Sequence, residues 1–91
     1  MDWHHEQLIN VIKLFSVDKK ALHSVLELIL TDKELDGIAR RLEIMRALTV
    51  GRESHRTIAD RLEVSIATVT RMSNIMKKDL AQVERIVQKM R

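Results

Sequence analysis

Between Ser54 and Lys78 the chain reads SHRTIADRLEVSIATVTRMSNIMKK, two short helical patterns separated by three residues. Ile58 and Leu62 lie four apart and share one face of the first pattern. Ala59 is small where a second helix crosses closely. Glu63, Val64 and Ser65 form the break: Val64 is apolar and plugs the corner, and Ser65 offers an oxygen to the free N–H groups of the next helix. Val69, Met72 and Met76 recur at i, i+3 and i+7 as an inward stripe. Opposite them stand Ala67, Thr68, Thr70, Arg71, Asn74 and Lys77, small or hydrogen-bonding, and the second helix carries no acid. This is the layout of a helix-turn-helix, whose second helix enters the DNA major groove. The stripe also fits an ordinary helical hairpin, which an apolar pattern alone does not exclude. Glu63 departs from the pattern, because the tight turn favours glycine at a positive φ. A residue with a Cβ there costs about 1 kcal/mol.

The length of 91 residues predicts one small domain, with 54–78 as the helix-turn-helix and 1–51 and 79–91 as a core shared between two copies. A chain of this size buries only about 60% of its unfolded surface, so association is a natural source of further core. Proline is absent, glycine occurs twice, Trp3 and Phe15 are the only aromatic side chains, and apolar residues make up 45%. The expected fold class is all-α. No cysteine is present, which excludes a disulfide framework and a cysteine metal site. No apolar run approaches the roughly 20 residues that span a bilayer. The first residues, MDWHHEQ, lack the charged-then-apolar order of a secretory signal, so a soluble cytoplasmic protein is expected. Net charge is +3 and unevenly spread: residues 1–49 hold 7 basic and 8 acidic groups, residues 50–91 hold 9 and 5. The positive excess falls in the half with the DNA-reading pattern, as an electrostatic footprint does.

Six helices are expected. The first runs from about Trp3 to Phe15, with Leu8, Val11, Ile12 and Phe15 inward, and Ser16–Asp18 breaks it. The second covers Lys19 to Leu30, with Leu22, Val25, Leu26 and Ile29 inward. Thr31 and Glu34 form a T-x-x-E capping box ahead of the third, Asp32 to Val50, which ends at Gly51. The motif helices follow at about 55–62 and 66–77. Asp79 caps the last helix, with Leu80, Val83, Val87 and Met90 on one face. The third helix is apolar over most of its circumference, more than a lone chain of this length can cover. An intertwined homodimer with a shared core is therefore expected, with a compact monomer as the alternative.

From Leu30 to Lys78 the chain resembles the Trp repressor family, through LTDKELDGIARRLEIMRAL and, more specifically, SIATVTRMSN. The resemblance implies an all-helical, intertwined homodimer that represses transcription from a palindromic operator in double-stranded DNA. Half-sites about 34–36 Å apart are the docking already known for helix-turn-helix dimers, the Trp repressor among them. Carried over by position, it implies that Ile66, Ala67, Thr68 and Thr70 face base edges. Arg56, Arg71, Ser73, Asn74 and Lys77 then face phosphates or nearby groove atoms. It also implies a co-repressor site, in which tryptophan lies between the third helix and the reading helix, flanked by arginines at the positions of Arg41 and Arg71, with Thr31 near its amino group. Met72 departs from the family pattern, where tryptophan-binding members carry glycine and so leave room for the indole. Met72 here fills that volume from within, and Ile75 adds bulk where a small polar residue is usual. The R-L-E-x-x-R-x-L pattern from Arg41 to Leu48 is shared with Trp-repressor-like proteins of Gram-positive bacteria. The expectation is DNA binding that requires no cofactor and does not depend on L-tryptophan. The alternatives are a tryptophan-dependent trp operon repressor and a helical protein-interaction module without DNA binding.

Other constellations carry less. His4 and His5 are adjacent, about 100° apart on a helix, and His23 and His55 are scattered, so no metal site is expected. His55 reads as a solvated side chain, with a phosphate contact as the alternative. Asp32, Glu34 and Asp36 complement a helix dipole rather than forming a catalytic pair. No nucleophile or phosphate-binding loop stands out, which argues against an enzyme. Trp3 reads as an interface anchor.

Overall fold

The computed structural model describes residues 1–90 and contains six α-helices and, among the described residues, no strand. They run α1 Trp3–Phe15, α2 Lys19–Ile29, α3 Asp32–Val50, α4 His55–Leu62, α5 Ile66–Met76 and α6 Leu80–Lys89. The all-α class and the order of elements agree with the expectation. Two ends differ. Leu30 is extended and caps α2 rather than continuing it, and α5 closes at Met76, with Lys77 as its cap. The chain divides into two compact units at residues 36 and 37, inside α3.

In the first unit, side chains set the helix ends. The Asp2 carboxylate accepts from the His4 N–H at 2.6 Å, and Asp18 accepts from Lys20 N–H at 2.9 Å. The Ser16 hydroxyl donates to the Lys13 carbonyl at 2.9 Å, closing α1. The capping box forms in full: Thr31 N–H donates to Glu34 Oε1 at 2.9 Å, and Glu34 N–H to Thr31 Oγ1 at 3.1 Å. These bonds favour the charged carboxylate and hold the Glu34 carboxyl below its ordinary pKa. Helices α1 and α2 pack on each other, yet neither contains a buried residue. Leu8, Val11 and Phe15, expected to face inward, remain exposed, and Ile29 is exposed beside Leu28. Two amphipathic helices cannot enclose a core between them; a third surface has to cover the stripe.

The second unit holds every buried residue of the described chain: Ile44, Ala47, Ile58, Ala59, Val69, Met72, Met76 and Val83. Six of them form one cluster joining α3, α4 and α5, with Met45, Leu48, Leu62 and Val64 packed around it. Ile44, Ile58 and Val69 are wholly enclosed. Each contributes about 1.5–3 kcal/mol by leaving water. The stripe Val69, Met72, Met76 is thus the inward face of α5. Gly51, at φ 73°, ends α3 and donates its N–H to the Ala47 carbonyl at 3.0 Å. Asp79 caps α6 by accepting from Gln82 N–H at 3.1 Å. Of the α6 stripe only Val83 is buried, whereas Leu80 is exposed. On α3, Ile38 and Leu42 also face solvent, at 45% and 38% exposure.

Glu63 takes the left-handed conformation, φ 57° and ψ 46°, the one non-glycine residue at positive φ among those described. The turn needs it, because this backbone lets the Val64 N–H reach the Ala59 carbonyl at 3.0 Å and stop α4. Glu63→Gly removes about 1 kcal/mol of strain. Part of that gain is offset by the looser unfolded chain that glycine brings. A net gain of about 0.5 kcal/mol is expected, seen as a thermal midpoint about 2–4 °C higher. A midpoint unchanged or lowered contradicts the strain argument.

Candidate nucleic-acid interface

The motif is assembled by serines that cap both of its helices. Ser54 Oγ accepts from Thr57 N–H at 3.1 Å, opening α4, and Ser65 Oγ accepts from Thr68 N–H at 3.0 Å, opening α5. Each hydroxyl also meets the hydroxyl three residues on: Ser54 with Thr57 at 2.9 Å, and Ser65 with Thr68 at 2.8 Å. Val64 packs at the corner against the core, and Ala59, 2% exposed, lets α5 approach α4. The entry to α4 is clamped by a two-pronged ion pair. Arg61 Nε donates to Glu53 Oε2 at 2.9 Å and its NH2 to Oε1 at 2.7 Å. Hydrogen bonding to Arg61 holds the Glu53 carboxyl below its ordinary pKa, and the same bond raises that of Arg61.

The outer face of α5 presents Ile66, Ala67, Thr70, Arg71, Asn74 and Lys77 to solvent, with Thr68 and Ser73 half-buried. Arg56 is exposed on α4. All nine residues expected at DNA therefore lie on the motif with α5's buried stripe turned away from them. The Thr68 hydroxyl is committed to Ser65. The Thr70 hydroxyl is not free either, because His55 Nδ1 lies 3.2 Å from its Oγ1. His55 is half-buried, and its Nδ1 meets Thr70 across the motif, a partner that spacing along the chain did not suggest.

Arg41, Arg71 and Met72 line one cavity of about 240 Å³, together with Thr68 and Ile75. That is below the roughly 300–1,000 Å³ usual for small-molecule pockets. Met72 reaches from it into the core cluster beside Ile44, Ile58 and Val69, and is 9% exposed. Thr31 belongs to the other unit, where its hydroxyl is engaged in the capping box. Among the described residues no cluster of histidine and carboxylate suits a metal ion, and no helix is long and apolar enough to cross a membrane.

Sequence spacing did not reveal two of these features. The Glu53–Arg61 pair is eight apart and begins in a loop, and His55–Thr70 is fifteen apart, so neither follows a helical period. A histidine directly after an N-cap serine, at the start of the first motif helix, is the one signal that could have pointed to the second.

Comparison with known proteins agrees with this geometry. The protein-family model described as Trp repressor protein matches residues 3–91. The chain is 37% identical over 76 residues to a Trp operon repressor homolog of Vibrio vulnificus strain YJ016, covering 84% of this chain and 72% of that one. It is 38% identical over 71 residues to the Trp operon repressor homolog of Chlamydia trachomatis serovar L2, covering 78% and 76%. With that of Vibrio atlanticus it shares 30% over 82 residues, covering 90% and 83%. No solved structure matches the chain.

Proposed function

This chain belongs to the Trp repressor family, and we propose that it is a homodimeric, sequence-specific DNA-binding repressor whose binding does not require tryptophan. The observation that carries this reading is α5. Its apolar stripe is buried, its outer face is mostly polar and basic with Ile66 and Ile75 exposed on the helix, and side chains cap both motif helices, so the reading face is already formed without DNA. On this reading Ile66, Ala67, Thr68 and Thr70 meet base edges, while Arg56, Arg71, Ser73, Asn74 and Lys77 set register on phosphates and nearby groove atoms. Repression follows from occupying an operator and excluding polymerase, so no catalytic step is involved. The parts of the core supplied by 1–51 and 79–91 are completed by a second copy. The uncovered faces of α1, α2 and α6 and the exposed Ile38 and Leu42 support that arrangement. Two copies related by a two-fold axis suit a palindromic site.

Titration of labelled duplex at several salt concentrations tests the proposal. Affinity falls steeply with salt, and one palindrome survives where random duplex is released. Arg71→Ala and Lys77→Ala each weaken binding and lower the magnitude of the salt slope by about 1. Equal affinity for all sequences, or no binding at all, overturns the reading and favours a helical protein-interaction module. The alternative of a tryptophan-dependent trp operon repressor draws support from Arg41 and Arg71 lining the same cavity. Met72 is the argument against it.

A further inference from the structure

Where α4 begins and α5 ends, the second unit holds a cavity of about 470 Å³, within the range usual for small-molecule sites. Leu48 of α3, Met76 of α5 and Leu80 of α6 are its apolar side; Met76 is buried and Leu80 is exposed. Its polar side is Glu53, His55, Ser73 and Lys77. It shares no residue with the cavity of Arg41, Arg71 and Met72. The polar groups differ in what they have left to give. Both oxygens of Glu53 accept from Arg61, at 2.9 and 2.7 Å, so its charge is already matched. His55 Nδ1 already meets Thr70 Oγ1 at 3.2 Å. Among the described residues, the side chains of Ser73 and Lys77 have no hydrogen-bond or ion-pair partner. Four apart at the end of α5, they share one face.

The helix ends around the cavity oppose one another: α4 and α6 begin at His55 and Leu80, and α3 and α5 end at Val50 and Met76. Asp79, the acid next to Leu80, accepts from the α6 backbone. The unmatched charge of the lining is therefore the single ammonium of Lys77. A ligand that matches one ammonium, one hydroxyl and three apolar side chains carries one negative charge on a hydrocarbon body. We propose that this cavity is an effector site for a small monocarboxylate, held at its charged end by Ser73 and Lys77 and along its body by Leu48, Met76 and Leu80. The ammonium and the hydroxyl both donate to the carboxylate, and covering the hydrocarbon adds the apolar contribution. A phosphate ester suits the site less, because its second charge finds no second unmatched cation in the lining. The regulatory consequence rests on the DNA-binding reading, in which Ser73 and Lys77 face phosphates or nearby groove atoms. A carboxylate on both groups withholds them from the duplex. Ligand and operator then weaken each other's binding by the same factor, so occupation releases DNA.

Cyclohexanecarboxylate is the probe and its uncharged amide the control, each titrated into the full-length protein without DNA and followed by amide NMR. Saturable shifts centre on Gly51, Ser73, Lys77 and Leu80. The carboxylate binds about tenfold tighter than the amide, the margin of a charge-assisted over a neutral hydrogen bond. Lys77→Met keeps the apolar stem and removes that margin; a thermal melt establishes that it is folded. In a second titration, saturating cyclohexanecarboxylate weakens wild-type binding to labelled palindromic duplex by about 5–150-fold relative to sodium chloride at the same concentration. No saturable shift at millimolar carboxylate overturns the inference and leaves the repressor reading standing. Shifts centred instead on Arg41, Thr68 and Arg71 overturn it, as does a margin that persists in Lys77→Met. Unchanged affinity for the duplex overturns it too. A wild type that holds no duplex even without ligand means that the DNA-binding reading itself has failed, and the regulatory role with it. The NMR titration uses no DNA and decides the carboxylate site in either case.

Discussion

Replacing Met72 by glycine is expected to destabilise the free protein by about 3–6 kcal/mol, the sum of truncating a buried methionine and placing glycine inside a helix. The same change creates a tryptophan site. Met72 is 9% exposed in the middle of α5 and belongs to the cluster of Ile44, Ile58 and Val69. Its removal therefore leaves a void that opens toward the cavity of Arg41 and Arg71. A loss of that size is a large share of the roughly 5–15 kcal/mol that keeps a domain folded. L-tryptophan is expected to restore part of it, about 2.7 kcal/mol at a hundredfold excess over its dissociation constant. Thermal melts and calorimetry with and without tryptophan check both halves. Wild type should show no shift, whereas Met72→Gly melts far lower and is raised by the ligand. Met72→Ala, with a smaller loss of about 2–5 kcal/mol, keeps the measurement possible if the glycine variant does not fold. Tight tryptophan binding by wild type refutes the argument from volume, because Met72 would then have moved aside.

Leu42→Arg is expected to break assembly and, with it, to weaken operator binding. Leu42 is 38% exposed on α3 and lines a groove of about 550 Å³ with Ile86 and Met90, bordered by Gln82, Arg85, Gln88 and Lys89, the kind of surface a second copy covers. A guanidinium placed there stands among Arg85 and Lys89, with no carboxylate in the groove's lining to pair with it. The variant should sediment as a single chain where wild type sediments as two. Affinity for the palindrome falls by about 10²–10⁴, the gain that linking two binding modules provides. Affinity for a single half-site changes little. Sedimentation of wild type as one chain at micromolar concentration rules out the shared-core arrangement.

Much of the architecture was legible because it is written in local rules. The capping box at Thr31–Glu34, the glycine stop at Gly51, the caps at Ser65 and Asp79 and the stripe Val69–Met72–Met76 each involve residues within two turns of one another. Glu63 was readable as a strained position, because the motif demands a left-handed residue there whatever its identity. The inward faces of α1 were the weak point. Periodicity identified Leu8, Val11 and Phe15 as apolar positions, but it does not say whether their cover is the same chain or another, and they are exposed.

The sequence by itself determined the six helices, the helix-turn-helix and the family, because helix periods, caps and the run from Ile66 to Asn74 depend only on neighbours along the chain. Tertiary structure alone decided two things: that Glu53 clamps Arg61, and that His55 lies against the Thr70 hydroxyl. These contacts join residues whose separation follows no helical period. The first is made by the loop before α4 folding back on that helix and the second by α5 crossing α4, and no local pattern encodes either.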